Sequence, residues 1–262
     1  MKKKISITLN EKILEDIDSM IDSIYVRNRS QAIEHLISNA LGENKSAVIL
    51  AGGPPEKLRI GKNEFRVSAQ IGRDTVIERA VKKLRANNFK NIYFVAQPLV
   101  LHRVFEILKE GAKYGVKISY IEEKESRGSA DSLRLLKGKI NSNFLIVYSD
   151  IIFNKINIEE LWNNHLKHGS TATLMLTTSK EPSKKGVVRM EGNKILNFSQ
   201  KPKKSDIYLV FSPIIATSPE IFEYEGNSLE EDIFPALAER GLLQGHLSSE
   251  KERHIHSTRD LD

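Results

Sequence analysis

The stretch from Ala47 to Leu58, AVILAGGPPEKL, limits the folds open to this chain more than any other. Five apolar residues read as a buried strand, and Gly52-Gly53 then breaks it into a turn-rich loop that carries Lys57 and Arg59. A parallel strand that empties into a glycine turn can cradle a phosphate, because only glycine lets backbone N–H groups come so close to an anion. The same dipeptide also serves as an ordinary turn, so the flanking sequence has to decide.

Beyond this strand the pattern alternates. Strands are expected at Ala47 to Ala51, Asn91 to Ala96, Val116 to Ile121, Phe144 to Tyr148 and Thr171 to Thr177. Helices are expected between them at Asp74 to Asn87, Leu99 to Tyr114, Ser129 to Leu136 and Ile158 to Lys167. Such alternation predicts an α/β fold, a Rossmann-like and mostly parallel sheet with helices on both faces and ligands at the carboxyl ends of the strands. After Pro182 the texture changes: Val187 to Met190 and Ile195 to Phe198 flank a Gly192-Asn193 turn and read as a hairpin. Ser228 with Glu231 then marks the start of a helix containing Ile233, Leu237 and Ala238.

The 262 residues are 40% hydrophobic and 28% charged, as in globular domains, and no apolar run approaches the roughly 20 residues of a membrane span. A soluble, cytoplasmic protein without a membrane partner is the expectation. The absence of cysteine excludes disulfides and thiolate metal sites, leaving carboxylate, histidine or water for any metal. The net charge of +6 is unevenly spread: residues 1–44 hold six Lys/Arg against seven acids, so the whole excess lies in the remainder. That suits phosphorylated ligands, or a plainly solvated surface.

The first forty residues form a unit of another kind. Ile5, Ile7 and Leu9 alternate with Lys4, Ser6 and Thr8 as in a strand with one apolar and one polar face. Asn10 is placed to cap a helix with an apolar stripe of Ile13, Leu14, Ile17, Met20, Ile21 and Ile24, ending near Tyr25. A second helix opens at Asn28 with Gln31 three residues on, turning Ala32, Ile33, Leu36, Ile37, Ala40 and Leu41 inward. So small a unit cannot bury these faces alone, and a homodimer through paired amino-terminal strands is the simplest remedy. A two-stranded ribbon fits the DNA major groove. KISITL and NRSQAI give residues 2–42 a close resemblance to the ribbon-helix-helix DNA-binding proteins. That resemblance implies that Lys4, Ser6 and Thr8 read base edges and that the backbone at Arg29 and Ser30 holds a phosphate. The expected organisation is a β-α-α module over 1–42, a linker over 43–46 and an α/β domain over 47–262.

The second part resembles the sugar-phosphate nucleotidylyltransferases, which join a nucleoside triphosphate to a sugar 1-phosphate and release pyrophosphate. AVILAGG with Lys57-Leu58, GRDTVIERAVKKL, Tyr120 to Ala130, Tyr148-Ser149-Asp150, Gly186-Val187-Val188, Gln200-Lys201-Pro202 and HIHSTRDL carry the likeness in order. It implies nucleotide binding by Ala51, Gly52, Gly53, Glu123 and Gly128, and sugar-phosphate binding by Gly186, Gln200 and Lys201. It also implies catalytic roles for Lys57, Asp150 and Lys201, with Mg2+ held by Asp150 and His254. Each residue also has an ordinary reading, as a surface lysine, a turn cap or a charged loop.

The departures bear on activity. Pro54-Pro55-Glu56 removes two backbone donors from the loop and adds a negative charge, and no Pro-Lys-Pro motif occurs in 63–71, leaving Arg66 or Lys62 to supply that cation. His254 stands where a second carboxylate belongs, Pro213 near a usual glycine, and Gln200 at a usual glutamate. Three readings follow: a weak transferase under a DNA-binding regulatory module, a catalytically inactive sensor of a nucleotide or nucleotide-sugar, or an enzyme that the amino-terminal module merely dimerises.

Overall fold

A computed structural model describes residues 5–21, 26–41, 45–61 and 64–261. Lys4, Ile24, Tyr25, Lys62, Asn63 and Gly42-Glu43-Asn44 lie outside the described residues. The chain divides into two units, Met1–Asn44 and Lys45–Asp262. The boundary falls within the expected linker, but Lys45 and Ser46 belong to the first strand of the second unit. The reason is physical: the Lys45 ammonium lies over the rings of Phe89 and Trp162, at 5.4 and 5.3 Å from their centroids, which draws its stem into the domain.

In the first unit, helix α1 (Glu11–Ser19) starts as expected, with the Asn10 side chain accepting from the amides of Lys12 and Ile13. Helix α2 (Arg29–Leu41) opens on Asn28, whose Oδ1 accepts from Gln31 N–H, while Gln31 Oε1 accepts from Arg27 N–H. Ile17 and Ala32 are buried, whereas Ile5, Ile7, Ile13, Leu36 and Ile37 remain exposed. Residues 5–9 form no strand within the chain, and the pairing expected of them is with a second chain. An extended segment becomes a strand only where another backbone pairs with it, and a single chain offers this one none.

The second unit is built on a nine-stranded sheet. Its strands are β1 (Lys45–Ala51), β2 (Phe89–Ala96), β3 (Lys117–Glu122), β4 (Phe144–Tyr148), β5 (Ala172–Thr178), β6 (Gly186–Glu191), β7 (Lys194–Gln200), β8 (Leu209–Thr217) and β9 (Leu243–Leu247). The order is β5-β9-β7-β6-β8-β4-β1-β2-β3, with β5 also pairing β8, so the later strands fold back on themselves. Strands β4, β1, β2 and β3 are parallel. The expectation of a mostly parallel sheet holds only for that half. From β8 onward antiparallel pairing dominates, with β6 and β7 joined as a hairpin, while β5 and β9 pair in parallel.

Helices α3 (Val76–Ala86), α4 (Pro98–Leu108), α5 (Ser129–Arg134), α6 (Ile158–His168) and α7 (Phe234–Glu239) cover the sheet. Two apolar cores result, one holding Ile49, Phe94 and Trp162, the other Val48, Phe144 and Phe234. Alternate residues of β1 thus serve opposite faces, as its unbroken apolar run requires. The capping role of Ser228 holds, its Oγ accepting from Glu231 N–H, but the turn it starts is a π-helix (Leu229–Ile233) that runs into α7. Pro213 interrupts β8 where the register with β5 shifts, a bulge being the place a sheet interior tolerates proline. Among the described residues, no helix is long and apolar enough to cross a membrane.

His165 on α6 is buried and its Nδ1 meets Thr173 Oγ1 of β5 at 3.0 Å. Burial pushes its pKa from 6.5 down to about 4, against a weaker upward pull from Glu220. The unfolded chain therefore binds this proton first as pH falls, and stability drops below pH 6.5 at about 1.4 kcal/mol per unit. Urea unfolding at pH 7 and pH 4.5 is expected to cost the natural chain about 2 to 3 kcal/mol more than His165→Gln. Equal losses would place the acid sensitivity elsewhere.

Candidate active site

Parallel pairing sets the site. Leu50 of β1 lies beside Tyr148 of β4, and Ser149 N–H donates to Leu50 O at 2.9 Å, so the Gly-Gly turn and Asp150 leave the sheet side by side. The carboxyl-end segment reaches the same place through a short ladder of Arg253–His254 on Ile151–Ile152 and the bond from Ile255 N–H to Asp150 O at 2.8 Å. A cavity of about 450 Å³ opens there, lined in part by Asp150, Gly186, Gln200, Lys201, His254 and His256. A second, of about 170 Å³, is lined by Gly52, Gly53, Gly128, Ser129 and Ser132. Tyr148 lines both.

The glycines are held to their identity by close approach. A Cβ on Gly52 would lie 2.9 Å from Ser132 Oγ, and one on Gly186 would lie 2.5 Å from the Phe198 ring. Gly128, at φ +149°, would bring a Cβ within 2.3 Å of the Asn227 carbonyl oxygen. Lys201 takes a left-handed φ of +44°, with its N–H donating to Lys185 O at 3.0 Å. That conformation is costly for a non-glycine residue, and it is retained where Lys201 turns off β7 onto the cavity rim.

Several residues fall differently from the sequence expectation. Lys57 sits exposed on a single helical turn, Pro55–Leu58, and lines neither cavity, because Pro54-Pro55 turns the chain immediately after Gly53. Glu123 lines not the glycine cavity but a neighbouring one of about 370 Å³ that shares Ser132 with it; its buried carboxylate accepts from the Ser132 hydroxyl, with Oε2 unpaired among the described residues. His254 is not free to act as a metal ligand through Nε2, which lies 3.0 Å from Glu252 Oε1. Among the described residues no three His, Asp or Glu side chains converge on a possible metal position. A neutral imidazole is in any case a poor partner for a hard dication. Asp150 alone fits magnesium, which takes one or two carboxylates and fills its remaining positions with water and ligand phosphates. Its Oδ2 is 3.5 Å from Arg66 Nη1, so a guanidinium stands where the missing lysine motif left the supply of a cation open.

Other functional groups escaped sequence reasoning. Glu230, on the π-helical turn, accepts hydrogen bonds from the hydroxyls of Tyr148 and Ser129 and faces the larger cavity. Burial, with the Glu230 charge adding to it, raises the Tyr148 pKa far above its ordinary value, so the phenol remains a donor. Burial lowers the His256 pKa, with Asp150 opposing. Burial alone would raise the Glu252 carboxyl, but hydrogen bonds from His254 and Lys185 outweigh it and bring the pKa to about 2. Tyr148 and His256 stand within motifs named from the sequence, whereas Lys185 offered only its place beside Gly186.

In the amino-terminal unit, Ser6, Thr8 and Ser30 are exposed. The Arg29 side chain pairs with Asp18 through Nε and Nη2 at 2.6 and 2.7 Å, leaving the backbone at the start of α2 as the expected phosphate contact.

Comparison with known proteins agrees with this arrangement. A mannose-1-phosphate guanylyltransferase catalytic subunit beta from Xenopus tropicalis is 30% identical over 185 residues, which cover 57% of this chain and 50% of that protein. A mannose-1-phosphate guanyltransferase from Aspergillus oryzae is 30% identical over 207 residues, covering 75% of this chain and 57% of that one. The chain thus spans about half the length of the curated relatives it matches. A Bacillus anthracis protein assigned as a glucose-1-phosphate thymidylyltransferase, crystallised with sucrose, shares the fold. Its TM-score is 0.73 at 21% identity, covering 83% of this chain and 92% of that one. The sequence pattern of the Nucleotidyl transferase family matches residues 46–251, and the chain belongs to that family.

Proposed function

We propose that the α/β unit transfers a nucleoside monophosphate from a nucleoside triphosphate to a sugar 1-phosphate and releases pyrophosphate. The observation that carries this reading is the meeting of Asp150, Gly186, Gln200 and Lys201 in one cavity that shares Tyr148 with the glycine-lined cavity. A triphosphate in the glycine cavity and a sugar 1-phosphate in the larger one would meet beside Asp150. An oxygen of the sugar phosphate then forms a bond to the α-phosphorus, while the bond from that phosphorus to the bridging oxygen breaks and its electron pair leaves with pyrophosphate. Placement in line and neutralisation of charge are the main requirements. Lys201 anchors the sugar phosphate and Arg66 offers a fixed positive charge beside Asp150. Asp150 would hold a magnesium ion, which when bound neutralises phosphate charge. The names of the relatives favour GTP and mannose 1-phosphate as the first pair to try.

Pyrophosphate release from that pair, and from mixed nucleoside triphosphates and sugar 1-phosphates, is expected to be weak but measurable and to vanish in Asp150→Ala. The sensor reading draws on two observations, the Pro54-Pro55 turn after the glycines and the guanidinium already beside Asp150. No turnover with any pair, while a triphosphate still raises the melting temperature, would favour it.

For the amino-terminal unit we infer a dimeric ribbon-helix-helix module that binds DNA for transcriptional regulation. The capped helix pair and the exposed Ile5, Ile7, Ile13, Leu36 and Ile37, which await an apolar partner, support it. Binding to a two-fold DNA site is expected to fall steeply with salt, and Lys4→Ala with Thr8→Ala to abolish sequence preference. Equal binding by a chain lacking residues 1–42 would refute the module's role.

A further inference from the structure

Lys185 and Glu252 belong to none of the motifs discussed above, yet they organise one wall of the larger cavity. Lys185 lines that cavity one residue before β6, and its Nζ lies 2.8 Å from Glu252 Oε1. The same oxygen is 3.0 Å from His254 Nε2. The Glu252 side chain is 0% exposed, so a single buried carboxylate holds two nitrogen donors side by side. The His254 ring in turn stacks on His256, with centroids 5.4 Å apart and planes at 16°. The bond from Lys201 N–H to Lys185 O ties the two lysine-bearing segments together at the cavity rim.

The acids around this wall are already matched. Asp150 faces Arg66, Glu181 pairs with Lys184 at 2.6 Å, and Glu230 accepts from Tyr148 and Ser129. An ammonium carries three donors, and Glu252 occupies one on Lys185, whose side chain keeps 30% of its surface open. A lysine held in place by a buried partner loses less freedom on gripping an anion than a mobile one.

We propose that Lys185, positioned by the buried Glu252, is a second phosphate-binding residue that grips the phosphate of the sugar 1-phosphate together with Lys201. The proposal rests on the transferase reading above. It makes Glu252 a positioning residue, acting through Lys185 without touching the ligand.

Calorimetric titration of the full chain with mannose 1-phosphate and glucose 1-phosphate, with EDTA present, tests it. The natural chain is expected to bind at least one of them without metal, and Lys185→Met to weaken that binding about ten-fold or more, as loss of a charge-assisted hydrogen bond implies. Glu252→Gln should weaken sugar-phosphate binding several-fold while leaving GTP affinity unchanged, a selective effect that a merely structural residue would not produce. Because Lys185→Met strands a buried carboxylate, the double variant Lys185→Met/Glu252→Gln is included; it should recover the melting temperature and not the affinity. Lys185→Arg should restore part of the binding, and Lys204→Met, on the exposed surface, should bind as the natural chain does. Unchanged affinity in Lys185→Met, or no metal-free binding by the natural chain, overturns the proposal. Failure of the transferase reading is separate: no pyrophosphate release with any pair, although sugar phosphates bind and Lys185→Met weakens them.

Discussion

The parallel pairing of β1 with β4 is the contact on which the site depends. It fixes Leu50 beside Tyr148, where β4 ends, and β1 ends one residue further on at the same edge of the sheet. One then yields two glycines and the other yields Ser149 and Asp150. A slip of one residue in this register would send alternate side chains to the wrong face, exchanging the contributions of Val48 and Ile49 to the two cores. The apolar packing of the sheet and the geometry of the candidate chemistry are therefore set by the same ladder of backbone hydrogen bonds.

The electrostatics of the cavity follow from that geometry together with the return of the carboxyl-end segment. Lys184, Lys185, Lys201 and two imidazoles meet the carboxylates of Asp150, Glu181 and Glu230 around a space of about 450 Å³, with Arg66 beside Asp150. Each acid has a local partner, and Glu252, fully withdrawn from solvent, fixes two of the basic groups. The wall facing a ligand is consequently richer in donors than a list of lining residues suggests. Near a protein surface such donors act more strongly on an anion than they would in bulk water.

Much of the fold was legible. The strand Phe144–Tyr148 matches its expected bounds, and the other strands and helices expected in the α/β unit appear within a few residues, because unbroken apolar runs and amphipathic stripes leave little choice between β and α; the helix expected to reach Tyr114 stops at Leu108, where Lys109 turns to a φ of +51°. The two-unit division was also visible, as a change in period and in charge. What escaped was pairing. Direction cannot be read from a strand's own residues, so beyond the hairpin at Gly192-Asn193 the antiparallel half of the sheet was unforeseen. In the site, Asp150, Gly186, Gln200 and Lys201 were legible as motif positions. That Lys57 lies outside both cavities was not legible, because the effect of two prolines on direction is a property of three-dimensional geometry. Glu230 and Glu252 carry no local signal at all, since their roles arise from contacts with residues as far as 101 positions away.

The second pairing of β5, with β8 as well as β9, has a consequence for how copies of this molecule behave in a crowded solution. It consumes the open side that a row of nine strands would otherwise present at that end. Of the two ends of that row, only β3 keeps an unpaired outer flank, and it begins and ends on exposed charged residues, Lys117 and Glu122. At the ends of the row, edge-to-edge addition of a neighbouring sheet, the usual route from native β-structure to aggregates, is thus limited to one short, charge-bracketed strand.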